Sequence, residues 1–196
     1  MRTRRPAALV ATGLLVFVVL TVLVWAGAAD GLDTRVTHFA ARHHTQAGLT
    51  AARILTDVFS PAVDALVLLL GAAVLAWLQW RLRPLIVAGL VLAGVAAVVL
   101  AVKFAVNRPL PHSHGHADQG FPSGHTAATL CYLGTLALLA SAKASARRRK
   151  LVTAVSALSA LVLLALVWAG FHWLTDTIAS VALGVAVLTV VSRRTG

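Results

Sequence analysis

Two short polar stretches interrupt an otherwise apolar chain, and each contains a histidine. Residues 121–127 read FPSGHTA, and residues 170–176 read GFHWLTD. In the first stretch, His125 follows a Ser-Gly turn at the predicted start of a helix, where free backbone N–H groups can bind an anion. A histidine at that position can also donate a proton to a departing oxygen. An ordinary Ser-Gly turn that caps a helix is the alternative for this stretch alone.

The second stretch places a histidine and a carboxylate on one face of a helical turn. His172 and Asp176 are four residues apart, which is the spacing of side chains that meet on a helix. A carboxylate that holds one imidazole nitrogen leaves the other nitrogen free to act as a nucleophile. The alternative is an interfacial pair that only forms a hydrogen bond. Ionisable residues at membrane depth are costly, so the pair favours a functional role.

Cationic residues lie close in sequence to the first stretch. Lys103 ends a long apolar segment and Arg108 follows it. Lys103 could simply extend toward lipid headgroups. Cations near two histidines and a helix start are, however, what a phosphate site requires. Together with Ser123 and Gly124, these residues predict a phosphate-binding site.

The composition is that of a membrane protein. The chain has 196 residues, of which 59% are hydrophobic and 12% charged, with a net charge of +11; soluble domains carry about 25% charged residues. The charges interrupt apolar runs and form no single basic face, so nucleic acid is not the expected partner. The single cysteine, Cys131, lies in an apolar run and is expected to be a buried, inert thiol.

The elements that must position these residues are predicted to be transmembrane helices. We expect an all-α bundle of six spans in one domain covering residues 1–196. The first span is interpreted as a retained helix rather than a signal peptide, because its apolar stretch is too long. A helix or helix pair at about 28–60 is expected to lie in the membrane interface, because apolar residues recur there at helical spacing. The predicted spans are residues 7–27, 61–80, 84–106, 126–142, 151–171 and 173–192.

The distribution of charge predicts the orientation. If the N-terminus is cytoplasmic, most Lys and Arg residues fall on the cytoplasmic side, including the basic run Ala146 to Lys150. All eight histidines and all six aspartates then fall on or near the outer face, and the chain has no glutamate. We therefore expect a multi-pass cell-membrane protein with both termini in the cytoplasm and the site outside. The oligomeric state is left open.

With these motifs in place, the chain resembles the type 2 phosphatidic acid phosphatase superfamily of integral membrane lipid phosphatases, relatives of the vanadium haloperoxidases. The pattern of that family is Lys-x6-Arg-Pro, Pro-Ser-Gly-His and Ser-Arg-x5-His-x3-Asp. Residues 122–125 reproduce the second block, and His172 and Asp176 preserve the end of the third. The resemblance implies hydrolysis of a lipid phosphate or diphosphate of the polyprenyl diphosphate, phosphatidic acid or phosphatidylglycerol phosphate type.

The resemblance also implies a role for each site residue. His172 would be the nucleophile that forms a phosphohistidine, Asp176 would orient it, and His125 would protonate the leaving group. The phosphate oxygens would be held by Lys103, Ser123 and Gly124. The resemblance implies no cofactor and no metal, because cations and backbone donors neutralise the phosphate charge.

The chain departs from the family pattern at two arginines. Leu110 stands where the first block has arginine, although Pro111 matches, and Leu166, after Ala165, stands where the third block has arginine. Arg108 with Pro109 lies two residues early and can substitute for the first if the loop is shifted. Nothing obvious replaces the second.

These departures leave two other functions open. One is a divergent family member that binds a lipid phosphate, or transfers its phosphoryl group, with little hydrolysis. The other is a membrane protein with no enzymatic activity. The alternate histidines His112, His114 and His116 could bind a transition metal, although a flexible polar loop is the more ordinary interpretation.

Overall fold

The chain folds into a helical bundle, as predicted. The computed structural model describes residues 4–111, 119–141 and 145–194, and every regular element in these ranges is a helix. An isolated bridge pairs Pro109 with Gln119. The elements are α1 (Arg4–Trp25), α2 (Asp30–His43), α3 (Gln46–Val58), α4 (Pro61–Gln79), α5 (Arg83–Val106), α6 (Gly124–Ala128), a π-helical turn (Thr129–Leu133), α7 (Gly134–Leu139), α8 (Ala146–Trp168) and α9 (Leu174–Arg194).

Five of these helices are long and apolar enough to cross a bilayer. They are α1 from Pro6 onward, α4, α5, α8 and α9. The predicted fourth span corresponds to the continuous run Gly124–Leu139, which is shorter than the other five. This run contains the π-helical turn, where the Thr129 hydroxyl donates to the buried Asp64 carboxylate at 2.7 Å. A sixth crossing by this run stays a prediction.

Local capping moves both ends of α8 away from the predicted span 151–171. The helix begins at Ala146 because the Ser145 hydroxyl accepts the Arg148 N–H at 3.0 Å, which is a standard N-cap. It ends at Trp168 because Gly170 takes a left-handed conformation, with φ of 70°. The Phe171 N–H then donates to the Leu166 carbonyl at 2.8 Å. The turn that follows carries His172.

The segment 28–60 forms a helix pair, α2 and α3, as predicted. The buried side of α2 is polar or small and consists of Asp33, Thr37 and Ala40. The apolar Leu32 and Phe39 are instead 55% exposed. The apolar side of α2 therefore points away from the bundle, as expected of a helix that lies against lipid in the membrane interface.

Close packing of α1 against α9 depends on Gly13. A Cβ atom at this position would lie only 2.8 Å from the Ala182 carbonyl oxygen of α9. We expect Gly13→Ala to force the helices apart and lower the free energy of unfolding by about 1–3 kcal/mol. Gly89→Ala is the matched control, because no atom lies within 4 Å of its added Cβ. Thermal unfolding in detergent checks this, and equal melting temperatures for the two variants would contradict it.

Candidate active site

Backbone hydrogen bonds join the two polar stretches. The Ser123 N–H donates to the Asp176 carbonyl at 3.1 Å. The Ser180 hydroxyl lies 2.9 Å from the Ser123 carbonyl and 3.0 Å from the Asp176 carbonyl, so it bridges both segments. The turn before α6 is thereby attached to the first turn of α9.

This attachment brings the two histidines face to edge. The ring centroids of His125 and His172 are 6.3 Å apart, with an interplanar angle of 65°. His172 is buried, and its Nδ1 lies 3.3 Å from Asp176 Oδ2. His125 is half-buried. The His172 ring is thus in contact with the Asp176 carboxylate and close to the His125 ring.

Asp176 is fully buried and held from several sides. Its Oδ2 also accepts the Trp173 N–H at 3.1 Å, and its Oδ1 accepts from Arg108 at 3.0 Å. Gly120 lies against it, since a Cβ there would be 3.1 Å from Oδ2. With its carboxylate fixed in this way, Asp176 can fix the orientation of the His172 ring.

Arg108 has partners other than the expected substrate phosphate. Its Nη1 donates to Thr175 at 2.9 Å as well as to Asp176, and its Nη2 donates at 2.8 Å to both Asp30 and Asp33. Its guanidinium also lies 5.1 Å from the centroid of the Trp173 ring.

The carboxylates around Arg108 keep its guanidinium protonated despite its burial. Burial alone would lower the pKa of the guanidinium, but the charge of Asp176, with the hydrogen bond and charge of Asp33, raises that pKa above its ordinary value. Arg108 is therefore a buried cation held by three carboxylates. These contacts compete with its predicted role as a phosphate ligand.

Asp33 is the site residue that the sequence did not identify. It is fully buried, its Oδ1 accepts the Thr175 N–H at 3.0 Å, and its Oδ2 accepts from the Thr175 hydroxyl and from Arg108. The i, i+3 spacing of Asp30 and Asp33 on one helix was the only available signal. Nothing in the sequence indicated that their partner was Arg108, more than 70 residues away.

The remaining predicted phosphate ligands are Lys103, Ser123 and Gly124. The Lys103 ammonium donates to the Gln119 carbonyl and interacts electrostatically with Asp176 and His125. Gly124 begins α6 with open space on its Cα side, since the nearest atom to an added Cβ would be Pro61 Cγ at 3.8 Å. Ser123 is fully buried and caps α6, its hydroxyl accepting the Thr126 N–H at 3.4 Å. Contact of these residues with a phosphate stays a prediction.

The histidine-rich loop and the two leucines complete the comparison with the sequence. His112, His114 and His116 lie outside the described residues. Leu110 is half-buried and lies close to Gly120, whose added Cβ would be 3.2 Å from Leu110 Cδ2. Leu166 is 1% exposed, and its carbonyl accepts the N–H groups of Phe171 and His172. Leu166 therefore belongs to the packed core behind the site.

The burial of Leu166 predicts the effect of placing arginine there. We expect Leu166→Arg to lower both stability and phosphate release, because a buried cation without a prepared partner is strongly destabilising. Leu166→Met is the control, since a swap of similar volume usually costs less than about 1.5 kcal/mol. Thermal unfolding and phosphate release measure both effects. Faster release from Leu166→Arg would show instead that this position accommodates a phosphate ligand.

Comparison with known proteins identifies the family of this chain. The family model described as the PAP2 superfamily matches residues 84–195, more than half of the chain. Among solved structures, the fold is similar to that of the first transmembrane PAP2 type phosphatidylglycerolphosphate phosphatase from Bacillus subtilis, with a TM-score of 0.82 and 18% sequence identity, over 96% of this chain and 94% of that chain. No sequence among the curated proteins matches this one. The chain therefore belongs to the PAP2 superfamily and is a multi-pass membrane protein, and this membership supports a phosphatase activity on lipid phosphates.

Proposed function

We propose that the chain hydrolyses a lipid phosphate through a phosphohistidine at His172, without a metal ion. The observation that supports this most directly is the arrangement of His172, backed by Asp176 at 3.3 Å, with the His125 ring centroid 6.3 Å away. This spacing is compatible with one phosphoryl group between the two rings. It is the arrangement that a nucleophile and a general acid need.

In the first half-reaction, His172 displaces the lipid. Hydrogen bonding of Nδ1–H to Asp176 leaves the lone pair on Nε2 directed at phosphorus. The Nε2–P bond forms as the bond from phosphorus to the lipid oxygen breaks. In the free protein, burial and to a lesser extent His172 and Lys103 lower the pKa of His125 to about 4. The anionic substrate phosphate raises this pKa, so His125 is protonated in the complex and gives its proton to the departing oxygen. The lipid leaves as a neutral alcohol, or as the shorter phosphate when the substrate is a diphosphate.

In the second half-reaction, water releases the phosphate. His125, now neutral, accepts a proton from the attacking water. The bond from the water oxygen to phosphorus forms as the P–Nε2 bond breaks. Inorganic phosphate leaves, and both histidines return to their starting protonation states.

Fixed positive charge stabilises the phosphoryl oxygens during both steps. Lys103 supplies a full charge, and the start of α6 at Gly124 supplies backbone N–H groups, with Ser123 beside them. Because three carboxylates already hold Arg108, we assign it to positioning Asp176 rather than to binding phosphate.

The substrate proposal rests on family and fold. Polyprenyl diphosphate, phosphatidic acid and phosphatidylglycerol phosphate are the candidate classes. The phosphatidylglycerolphosphate phosphatase of similar fold favours the last of them. The positive-inside rule supports cytoplasmic termini and a site at the outer face. A binding or transfer function with little hydrolysis is the second candidate, because Leu166 occupies a buried position where the family pattern has arginine.

Phosphate release from the three lipid classes, measured with and without a chelator, tests the proposal. We expect release from at least one class to persist in excess chelator, because the proposed charge stabilisation comes from side chains and backbone groups. If phosphate release stops in chelator and returns when metal is added, the metal-independent mechanism is contradicted. Phosphate bound or passed to another lipid, without release, would establish the second candidate instead.

A further inference from the structure

A cleft runs along α8 and α9, and its mouth lies at the opposite end of the bundle from His172. It is enclosed mainly by α8 and α9 and has a volume of about 1210 Å³. Arg148 lies on α8 twenty residues before Trp168, which places the cleft mouth about 30 Å along the helix from the active-site turn. The walls of the cleft are apolar along much of their length and include Val152, Leu163, Val181, Val185 and Leu188.

Arg148 is buried at the mouth of this cleft with half of its guanidinium unsatisfied. The side chain is 7% exposed, and its Nη2 donates to the Ser192 hydroxyl at 2.8 Å. Its Nη1 is buried and has no hydrogen-bond partner among the described residues. Deeper in the cleft, the Ser159 hydroxyl is 2% exposed and also lacks a partner in the described part of the chain. Arg149 and Arg193 line the same mouth.

Among the described residues, no carboxylate side chain pairs with this arginine. The described aspartates belong to the other end, on α2, α3, the start of α4 and the start of α9. A buried cation is strongly unfavourable without a counter-charge, and with none in the described part of the chain, an anion from outside the protein would stabilise Arg148.

We propose that this cleft binds an anionic phospholipid, with its phosphate on Arg148 and an acyl chain along the α8–α9 walls. A guanidinium matches the geometry of a phosphate, and basic clefts between transmembrane helices suit anionic headgroups. Inorganic phosphate would satisfy the charge alone, whereas a lipid also fills the apolar length of the cleft. In the proposed orientation, this lipid comes from the cytoplasmic leaflet, so it is distinct from a substrate that reaches His172.

Thermal unfolding of the protein in neutral detergent tests the proposal. Phosphatidylglycerol, phosphatidylcholine and inorganic phosphate are titrated separately. Binding to the folded state should raise the melting temperature with phosphatidylglycerol and much less with the other two. The same shift must appear in His172→Asn, because Arg148 at the mouth of the cleft is remote from the active site. Equal shifts with phosphatidylcholine, or with inorganic phosphate alone, would overturn the lipid assignment.

Variants of residues that line the cleft show whether the lipid binds there. Arg148→Gln should weaken phosphatidylglycerol binding about tenfold or more, because a charge-assisted contact is lost. Arg81→Gln, an exposed arginine at the same end of the bundle, should bind as the wild type does. If Arg148→Gln does not fold, Ala160→Phe retains the arginine and fills the cleft, and it should weaken binding as well. Wild-type affinity in Ala160→Phe, or in a folded Arg148→Gln, would overturn the proposal.

Discussion

Replacing His172 with asparagine should lower the rate of phosphate release at least about a thousandfold, because the proposed nucleophile is removed. The variant should also form no phosphoenzyme from a substrate labelled on phosphorus. An alkaline quench is required in this experiment, since the phosphorus–nitrogen bond of phosphohistidine breaks in acid. His43→Asn is the matched control, because His43 is an exposed histidine outside the site. Normal phosphoenzyme in His172→Asn would exclude His172 as the nucleophile.

The variant His125→Asn tests the role of the general acid separately from that of the nucleophile. With a lipid alcohol as leaving group, both phosphoenzyme formation and release should slow, because no proton reaches the departing oxygen. With a nitrophenyl phosphate as substrate, the nitrophenolate leaves without a proton, so phosphoenzyme formation should recover. The labelled intermediate should then accumulate, because water is no longer activated. Equal loss with both leaving groups would show that His125 does not act as the acid.

Removing the Arg108 guanidinium should have the largest effect on stability. In Arg108→Met, the carboxylates of Asp30, Asp33 and Asp176 lose the cation between them. Breaking a buried charge network by deleting one partner costs about 3–5 kcal/mol. We expect a much lower melting temperature and, because Asp176 loses one of its fixed contacts, a lower kcat. Arg35→Met is the control, since Arg35 is exposed on α2.

The values of kcat and KM in Arg108→Met distinguish a positioning role of Arg108 from a phosphate-binding role. A positioning residue affects kcat and the stability of the free enzyme. A phosphate ligand would instead raise KM and leave the unliganded protein about as stable as before. The double variant Arg108→Met/Asp33→Asn should recover part of the lost stability, because it removes a carboxylate that would otherwise be unpaired. Such recovery would not be expected if Arg108 contacted only substrate.

Much of the helical architecture could be predicted from the sequence, because long apolar runs have few alternatives in lipid. The ends of α8 were less predictable, since they depend on the Ser145 cap and on the left-handed Gly170. The chemistry of His125, His172 and Asp176 followed from residue types and local spacing. Their approach in space could only be inferred, because it depends on Ser180 and on backbone bonds between distant segments.

The surroundings of Arg108 were beyond the sequence for a different reason. Composition and spacing showed an arginine near a family motif, and phosphate was the obvious partner. Whether it pairs with phosphate or with protein carboxylates depends on how α2 packs against the start of α9. That packing is directed by Asp33 and Thr175, which are separated by more than 140 residues.

The Ser180 hydroxyl lies within hydrogen-bonding distance of the carbonyls of both Ser123 and Asp176, and this has a consequence for how substrate is bound. Hydrogen bonds behind the site hold the two histidine-bearing segments in a fixed relative position. The spacing of His125 and His172 is therefore set during folding, so an arriving lipid does not have to draw them together. The entropic cost of alignment is met in advance, and more of the lipid's binding energy remains for the transition state.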